Sequence, residues 1–320
     1  MRSALLFASM LFAAALCSGA EVYPGKPVRV VVPFGPGGNT DIAARVISQQ
    51  LSEQLGKSFV VDNRAGGTGN VGSALVARSA PDGYTLALAA SSWAIVPSLF
   101  KSLPYNVVRD FTPITQIMRV PNVLVVSLAL NANTVREFIA LAQEHPGKFN
   151  FASSGTGSIN HLMPVLFNKA AKLNLVHIPY KGAGDTITAL IGNEVQMLVS
   201  PIPPVLPYVK NGRIRALAVT TDGKRLSTLP DVPSMSEAGV PGMTIYYWAG
   251  LVGPAGLPKS VVNKLHAEVV KALAVPAVRD QFVALSADLV GGSPEEFSRL
   301  IRAEVQRWAE VVKAAGITPE

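Results

Sequence analysis

Short runs of β-branched residues alternate along most of this chain with longer segments of helical spacing. The run from Val28 to Pro33 is typical of a buried strand. A helix is expected next, with Asn39 or Thr40 as its N-cap and Asp41 in its first turn, where a negative charge suits the helix dipole. Further strands are predicted at 58–61, 84–90, 122–127, 150–152, 175–178, 195–198 and 215–220. This alternation predicts an α/β protein with mainly parallel sheets.

Two helices have clear start signals. Thr134 and Glu137 have the spacing of a capping box, in which the cap side chain and the later carboxylate bond each other's backbone N–H groups. Ser293 and Glu296 repeat that spacing before the last helix, and Pro294 stands at its first position. Both helices are therefore expected to begin at these residues.

The first twenty residues have the pattern of a signal peptide. Arg2 supplies the positive charge, and the apolar run from Ala4 to Leu16 is shorter than the ~20 residues that cross a bilayer. Cleavage is expected after Ala20, which predicts a periplasmic location. Cys17 raises the alternative of lipid attachment, but Leu16 stands where that site requires a small residue. The mature chain contains no cysteine, so its core alone must hold it together.

The basic charge does not predict a nucleic-acid partner. The formal net charge is +7, but the Lys and Arg residues are scattered and no aromatic residues are interleaved with them. Nucleic-acid binding requires a concentrated basic surface. The charge is interpreted as a source of solubility, with mild attraction of anions.

Three glycine-rich loops follow predicted strands. We define the first loop as residues 33–41, the second as 64–72 and the third as 153–158. Glycines let a ligand approach the backbone, and free N–H groups at a helix start attract anions, although tight turns use glycines as well. Since α/β proteins bind ligands at the carboxyl ends of strands, three such loops favour a binding site. The first and third loops contain no Lys or Arg, so an anion there would depend on N–H groups.

The sequence contains no recognisable catalytic set. The spacing Gly67-x-Gly69-x-x-Gly72 matches a dinucleotide fingerprint, but no acidic residue lies about 20 positions beyond it. There is no P-loop, no Gly-x-Ser-x-Gly elbow and no His-Glu-x-x-His spacing, so no catalytic residue, cofactor or metal is expected. An exported hydrolase or lyase stays a rival hypothesis, as does a receptor that presents its ligand to a signalling protein.

Several side chains near these loops have two interpretations. His161 either donates to a ligand or bonds its own loop backbone. Tyr180 either walls a pocket or packs in the core, and Lys181 either steers an anion or stays solvated. Asp185 either contacts ligand or only caps the next helix, and the aromatic run Tyr246-Tyr247-Trp248 is interpreted as sheet packing.

A series of motifs resembles one known family over essentially the whole mature chain. The motifs are Tyr23-Pro24-x-Lys26-Pro27-Val28-Arg29, Val32-Pro33-Phe34-x-Pro36-Gly37-Gly38-x-x-Asp41, Asn63-Arg64, Pro81-Asp82-Gly83-Tyr84-Thr85-Leu86, Asp110-Phe111, His177-x-Pro179-Tyr180-Lys181-Gly182, Arg215-Ala216-Leu217-Ala218-Val219-Thr220, Pro230-Asp231-Val232-Pro233 and Glu237-Ala238-Gly239. In this respect the chain is similar to the Bug/TctC family, the extracytoplasmic solute receptors of tripartite tricarboxylate transporters.

The resemblance implies an α/β, two-lobed type-II periplasmic binding-protein fold with mixed sheets and two hinge crossovers, which closes over its ligand. The implied domains are 21–125 plus 221–320, and 126–220, after a signal peptide at 1–20. It also implies a monomer that delivers a small carboxylate to integral membrane transporter subunits. The carboxylate would be a di- or tricarboxylate, an acidic amino acid or an aromatic acid.

The resemblance also implies ligand contacts at particular positions. They are Phe34, Gly37, Gly38, Asn39, Thr40, Asp41, Gly69, Asn70, Ser91, Ser154, Gly155, Thr156, Gly157, His161 and Asp185, and Tyr180 is added as a candidate pocket wall. Two departures from the family pattern bear on the identity of the ligand rather than on the fold. Arg64-Ala65-Gly66-Gly67 replaces the common Arg-Pro-Gly-Ala, and Trp93 is expected near the pocket rim.

Overall fold

The computed structural model describes residues 23–180 and 182–319. The predicted signal peptide and Lys181 lie outside the described residues. In chain order the strands are β1 Val28–Val32, β2 Phe59–Asn63, β3 Thr85–Ala90, β4 Phe111–Val126, β5 Asn150–Ser153, β6 Val176–Pro179, β7 Met197–Pro201, β8 Arg215–Val219, β9 Tyr246–Pro254 and β10 Asp288–Leu289. The eight predicted strands correspond to β1–β8, and β4 is far longer than predicted.

The helices alternate with these strands. In chain order they are α1 Asn39–Leu55, α2 Asn70–Ala77, α3 Ser91–Ile95, α4 Val135–Glu144, α5 Ile159–Ala171, α6 Ala183–Ile191, α7 Ile202–Lys210, α8 Lys259–Ala274, α9 Pro276–Ala284 and α10 Pro294–Ala314. Within the described part of the chain, no helix is both long and apolar enough to span a membrane.

The helix start signals are confirmed for α4 and α10, with one difference. The Ser293 hydroxyl accepts from the Glu296 N–H at 3.2 Å, and the Glu296 carboxylate accepts from the Ser293 N–H at 2.8 Å, which completes the capping box. The Thr134 hydroxyl accepts from the Glu137 N–H in the same way. The Glu137 carboxylate, however, accepts from the N–H of Asn133 instead of from Thr134.

The sheet is mixed, with the strand order β2-β1-β3-β9-β4-β7-β5-β6. The pairs β1–β2, β1–β3, β5–β6 and β5–β7 are parallel. All pairs made by β4 and β9 are antiparallel. The expectation of mainly parallel sheets is therefore correct for the outer strands and wrong for the centre, where two long strands run against their neighbours.

Strand β4 links the two lobes. Its first part, from Phe111 to Pro121, pairs with β9, and its last part, from Asn122 to Val126, pairs with β7. Strand β8 pairs with that same last part, with Val123 opposite Val219. Two apolar strands therefore lie side by side where the chain passes from one lobe to the other. The division of the lobes at residues 125/126 and 220/221 stays a proposal. Helix α10, which that division assigns to the first lobe, also packs against α5 of the second lobe.

Candidate functional site

The first loop is held in shape by the carboxylate of Asp41, which is only 3% exposed. Asp41 accepts from the N–H of Gly37 at 2.9 Å, from Arg45 at 3.0 Å and from the Asn63 amide at 2.9 Å. Burial acts to raise the pKa of the Asp41 carboxyl, but these three donors outweigh it and the pKa lies below its ordinary value. The Asn63 amide also donates to the Phe34 carbonyl at 3.1 Å. Asp41 therefore holds the first loop in its conformation.

Helix α1 begins at this loop without a side-chain cap. Its N-cap is Gly38, so the first N–H groups of the helix have neither a side-chain acceptor nor an intrahelical one. In the first turn, the Thr40 hydroxyl lies 2.5 Å from the Tyr247 hydroxyl on β9. Burial raises the pKa of Tyr247 to about 12, against the lowering effect of Thr40, so the phenol stays protonated and can donate.

The second loop packs against the first loop. A Cβ at Gly69 would lie 3.3 Å from Pro33 Cβ and 3.4 Å from the Phe34 ring. The neighbouring Asn70 accepts from the Tyr105 hydroxyl at 2.6 Å. The absence of a side chain at Gly69 therefore lets the two loops pack closely together, and the second loop supports the first.

The third loop leads into α5, and its polar side chains bond within the loop and to that helix. The Ser154 hydroxyl donates to the Asn160 side-chain oxygen at 2.8 Å, and the Ser158 hydroxyl donates to the Gly155 carbonyl at 2.6 Å. Ser158 is the N-cap of α5, and its side chain does not cap that helix. Helix α5 therefore presents an uncapped N-terminus from the second lobe, as α1 does from the first.

The first and third loops meet at an open cleft of about 330 Å³ between the lobes. Its lining residues are Phe34, Gly38, Asn39, Thr40, Ala90, Ser92, Ser154, Ile159, Asn160, Ser200, Pro201, Pro204 and Tyr247. Each lobe contributes the start of one long helix, and none of these lining residues is ionisable except the tyrosine. The cleft thus offers backbone N–H groups, hydroxyls and two side-chain amides around a largely apolar surface.

The predicted site residues fall into three groups. Phe34, Gly38, Asn39, Thr40 and Ser154 line the cleft. Next to them in the chain, outside the lining, are Gly37, Asp41, Ser91, Gly155, Thr156 and Gly157. Four predicted residues are distant in sequence from every lining residue: Gly69, Asn70, Tyr180 and Asp185. His161 lines a different recess, although its neighbour Asn160 lines the cleft. Direct contact of these residues with a ligand stays a prediction.

The side chains with two interpretations now have definite places. His161 accepts from the Gly157 N–H at 3.0 Å, so it bonds its own loop backbone. The Tyr180 hydroxyl lies 3.4 Å from a Glu194 carboxylate oxygen, and its ring packs at the edge of a hydrophobic cluster. Asp185 is exposed in the first turn of α6. Trp93 follows Ser92, which lines the cleft, but its own ring is buried outside the lining and packs edge-on against Phe111 at 4.7 Å.

Sequence reasoning missed part of the lining. Ser200, Pro201 and Pro204 lie where β7 ends and α7 begins, which is the same strand-to-helix signal that identified the glycine loops. This junction contains no glycine, so the glycine pattern does not identify it. Tyr247 was interpreted only as sheet packing, although it also lines the cleft. In the described ranges, no group of three or more His, Cys, Asp or Glu residues is placed to hold a metal ion.

A two-lobed α/β fold with a ligand-sized cleft between its lobes defines a solute-binding protein. Sequence comparison then identifies the particular kind. The model of the tripartite tricarboxylate transporter family receptor, TctC, matches residues 43–317, and the chain belongs to this family. The resemblance noted in the sequence is thereby confirmed.

Three similar proteins illustrate the relationship. BugT of Bordetella pertussis is 37% identical over 299 residues, which cover 93% of this chain and 91% of BugT. The R. palustris protein Rpa4515 with adipate is 36% identical with a TM-score of 0.78, covering 93% of this chain and 100% of that one. MatC from Rhodopseudomonas palustris with bound malate is 32% identical with a TM-score of 0.74, covering 91% and 100%.

Proposed function

We propose that this protein is a periplasmic receptor that captures a small carboxylate with an apolar body by lobe closure. It then delivers that ligand to the membrane subunits of a tripartite tricarboxylate transporter. The observation that carries the proposal is the pair of uncapped helix starts, α1 and α5, which face one cleft from opposite lobes. Family membership and the relatives described with adipate and malate support the ligand class.

The helix starts provide the attraction for a carboxylate. The N-terminus of a helix carries a partial positive charge and unpaired N–H donors, and contributes about 0.3–1 kcal/mol per charge at an exposed site and more when enclosed. Among the described residues, the cleft lining contains no Lys or Arg, so these donors would act without a cationic side chain from that lining. The attraction is weaker than a full counter-charge would give, which favours the release that a carrier requires.

The rest of the lining favours a ligand with an apolar middle. Phe34, Ile159, Pro201, Pro204 and the ring of Tyr247 supply most of the surface between the two helix starts. Helix α7 adds apolar surface more than donors, because Pro203 and Pro204 in its first turn have no N–H. An aliphatic dicarboxylate or an aromatic acid would therefore fit better than citrate, whose central hydroxyl and carboxylate would face carbon.

Closure follows from the placement of the donors. Contacts from a single lobe are weak, so the closed state gains free energy only when the ligand engages both lobes at once. The strands β4 and β8 form the connection around which the lobes would move.

A thermal-shift screen of ligand-stripped protein tests the ligand class. The panel contains adipate, benzoate, glutamate, malate and citrate. A ligand at about 1,000 times its dissociation constant stabilises the folded state by about 4 kcal/mol, which raises the melting temperature by several degrees. Adipate or benzoate is expected to give the largest shift. A shift from citrate alone would contradict the apolar-body proposal, and no shift from any carboxylate would overturn the ligand class.

A matched pair of variants tests the site. Gly38→Val places a side chain in the cleft without strain, because Gly38 has an ordinary φ of −80° and nothing within 4 Å of the added Cβ. Gly184→Val makes the same change in equally open space on α6, outside the lining. Gly38→Val is expected to abolish the ligand-induced shift and Gly184→Val to retain it. Equal shifts in the two variants would place the ligand elsewhere.

Delivery to the transporter is tested separately. Loaded receptor is mixed with the two membrane subunits in detergent, and co-purification is measured with and without ligand. Ligand-dependent co-purification is expected. Ligand recovered chemically unchanged, together with no interaction with the membrane subunits, would argue for the signalling role instead.

A further inference from the structure

Two stacked histidines lie behind the third loop. The ring centroids of His161 on α5 and His177 on β6 are 3.8 Å apart with 18° between the planes, and the Phe151 ring stacks 5.1 Å from His177. We call His161 and His177 the histidine pair. The pair is absent from the cleft lining and instead faces a separate recess of about 490 Å³. Water and protons can therefore reach the pair without passing through the cleft.

Each member of the histidine pair bonds the third loop. The Gly157 N–H donates to His161 Nδ1 at 3.0 Å. His177 Nε2 lies 2.6 Å from the Ser153 hydroxyl, which also accepts from the Gly155 N–H at 3.1 Å. Because His161 Nδ1 is an acceptor, the ring must be neutral with its proton on Nε2. The conformation of the loop seen here is therefore compatible with only one protonation state of His161.

The surroundings disfavour a charged ring. Burial lowers the pKa of His161 to about 4, with a further lowering by His177, and burial also lowers the pKa of His177. The charged side chains that line the recess are both cationic: Lys169 on α5 and Lys172 at the C-cap of that helix. Strand β5 contributes Phe151 and the end of α10 contributes alanines, so the described lining holds no acid that could stabilise an imidazolium.

We infer that the histidine pair positions the third loop for ligand binding only while the His161 ring is neutral, so that acid weakens binding through a group outside the cleft. A proton on His161 Nδ1 would face the Gly157 N–H, and two donors cannot bond each other. That contact would be lost, and the backbone from Ser153 to Ser158 would rearrange beside Ser154, which lines the cleft. The inference rests on the proposed function of the cleft and adds a regulation to it.

Two variants of His161 separate its hydrogen bond to Gly157 from the charge of a protonated ring. In His161→Asn the side-chain oxygen takes the place of Nδ1 as acceptor and cannot be protonated near neutral pH, whereas His161→Leu removes the acceptor. Affinity for the carboxylate with the largest thermal shift is measured from pH 3.5 to 8. At pH 7, His161→Asn is expected to bind like wild type and His161→Leu about tenfold more weakly, because the buried Gly157 N–H loses its partner.

The pH profile then decides between positioning and a merely structural role. Protonation of the ligand itself weakens all variants alike, so the difference between wild type and His161→Asn isolates the ring. Wild type is expected to lose additional affinity as the pH falls toward about 4, and His161→Asn is not. Superimposable profiles would overturn the inference, as would wild-type affinity in a folded His161→Leu protein.

A second measurement needs no ligand. In protein labelled with ¹⁵N-glycine, the Gly157 amide signal is followed by NMR as the pH is lowered. It is expected to move with a midpoint near pH 4 in wild type and to stay constant in His161→Asn. If no carboxylate binds any variant, the proposed function fails while this titration still tests the histidine pair. A Gly157 signal that does not move in wild type would overturn the inference.

Discussion

At the scale of single residues, the carboxylate of Asp41 shows how the cleft keeps negative charge away from its ligand. The side chain occupies the first turn of α1, yet all its bonds run to Gly37, Arg45 and Asn63. The charge of the carboxylate is therefore compensated by these three donors. The predicted contact at Asp41 thus has an alternative role, in which the residue shapes the loop that carries Gly38 and Asn39.

Asp41→Asn tests this role through stability. The amide nitrogen would face one of three donors, so we expect a loss of about 1–3 kcal/mol in the free energy of unfolding at pH 7. Because the folded pKa of Asp41 is lowered, its stabilisation is present above the unfolded value of about 3.9 and is lost as the pH falls through the folded value. The difference between wild type and variant in urea unfolding should therefore shrink below about pH 4.

Asp185→Asn is the matched control. Asp185 is also an acid in a first helical turn, on α6, but it is exposed. Loss of its charge is expected to cost only about 0.3–1 kcal/mol of stability through the helix dipole. Equal losses in the two variants would mean that the hydrogen bonds of Asp41 add nothing.

At the scale of elements, the start of a helix decides whether its first N–H groups stay available. Among the described α-helices, α4 and α10 start with side-chain caps and the others do not, and α1 and α5 are the long uncapped helices that start at the cleft. A capped start satisfies its own N–H groups and an uncapped start leaves them available. The uncapped starts of α1 and α5 therefore leave donors at the cleft that a ligand can use.

Gly38→Asp should reverse that exchange. The backbone at Gly38 already has cap-like angles, φ −80° and ψ 166°, so an aspartate there can cap α1. Stability is expected to be unchanged or to rise by a few tenths of a kcal/mol. Carboxylate affinity is expected to fall about a hundredfold, since like charges placed together cost several kcal/mol. Affinity is measured by isothermal titration calorimetry, with Gly38→Asn as the control. Asparagine can also cap the helix but carries no charge, so the comparison separates the loss of free N–H groups from charge repulsion of the ligand. Wild-type affinity in Gly38→Asp would contradict the mechanism.

The same elements show what local sequence patterns could predict. Caps and glycine loops are short-range features, so the starts of α4 and α10 and the loops at Gly38 and Ser154 were predicted correctly. Strand pairing at the centre is not local, because β9 meets β4 across more than a hundred residues of chain. Tyr247 reaches the cleft only through that pairing, and its role could not be predicted from its neighbours in sequence.

At the scale of the whole molecule, three chain segments meet where the lobes join. Thr220 and Asn122 are fully buried, and the Thr220 hydroxyl accepts from the Asn122 N–H at 2.9 Å. The same hydroxyl donates to the Ile245 carbonyl at 2.5 Å, and the Asn122 amide donates to that carbonyl at 3.0 Å. We call these three residues the crossing point. A movement of the lobes that keeps these bonds would turn about the crossing point.

Thr220→Val tests whether the crossing point is a fixed pivot. The variant leaves the buried Asn122 N–H without its acceptor, which should lower the free energy of unfolding by about 1–3 kcal/mol. If the bonds persist in open and closed states alike, both lose the same free energy and the dissociation constant stays at the wild-type value. Thr221→Val is the control, because that hydroxyl bonds only the carbonyl of the exposed Lys224, which water can also reach. Small-angle scattering should show ligand-induced compaction in all three proteins, and an altered affinity in Thr220→Val alone would show that the crossing point itself rearranges on closure.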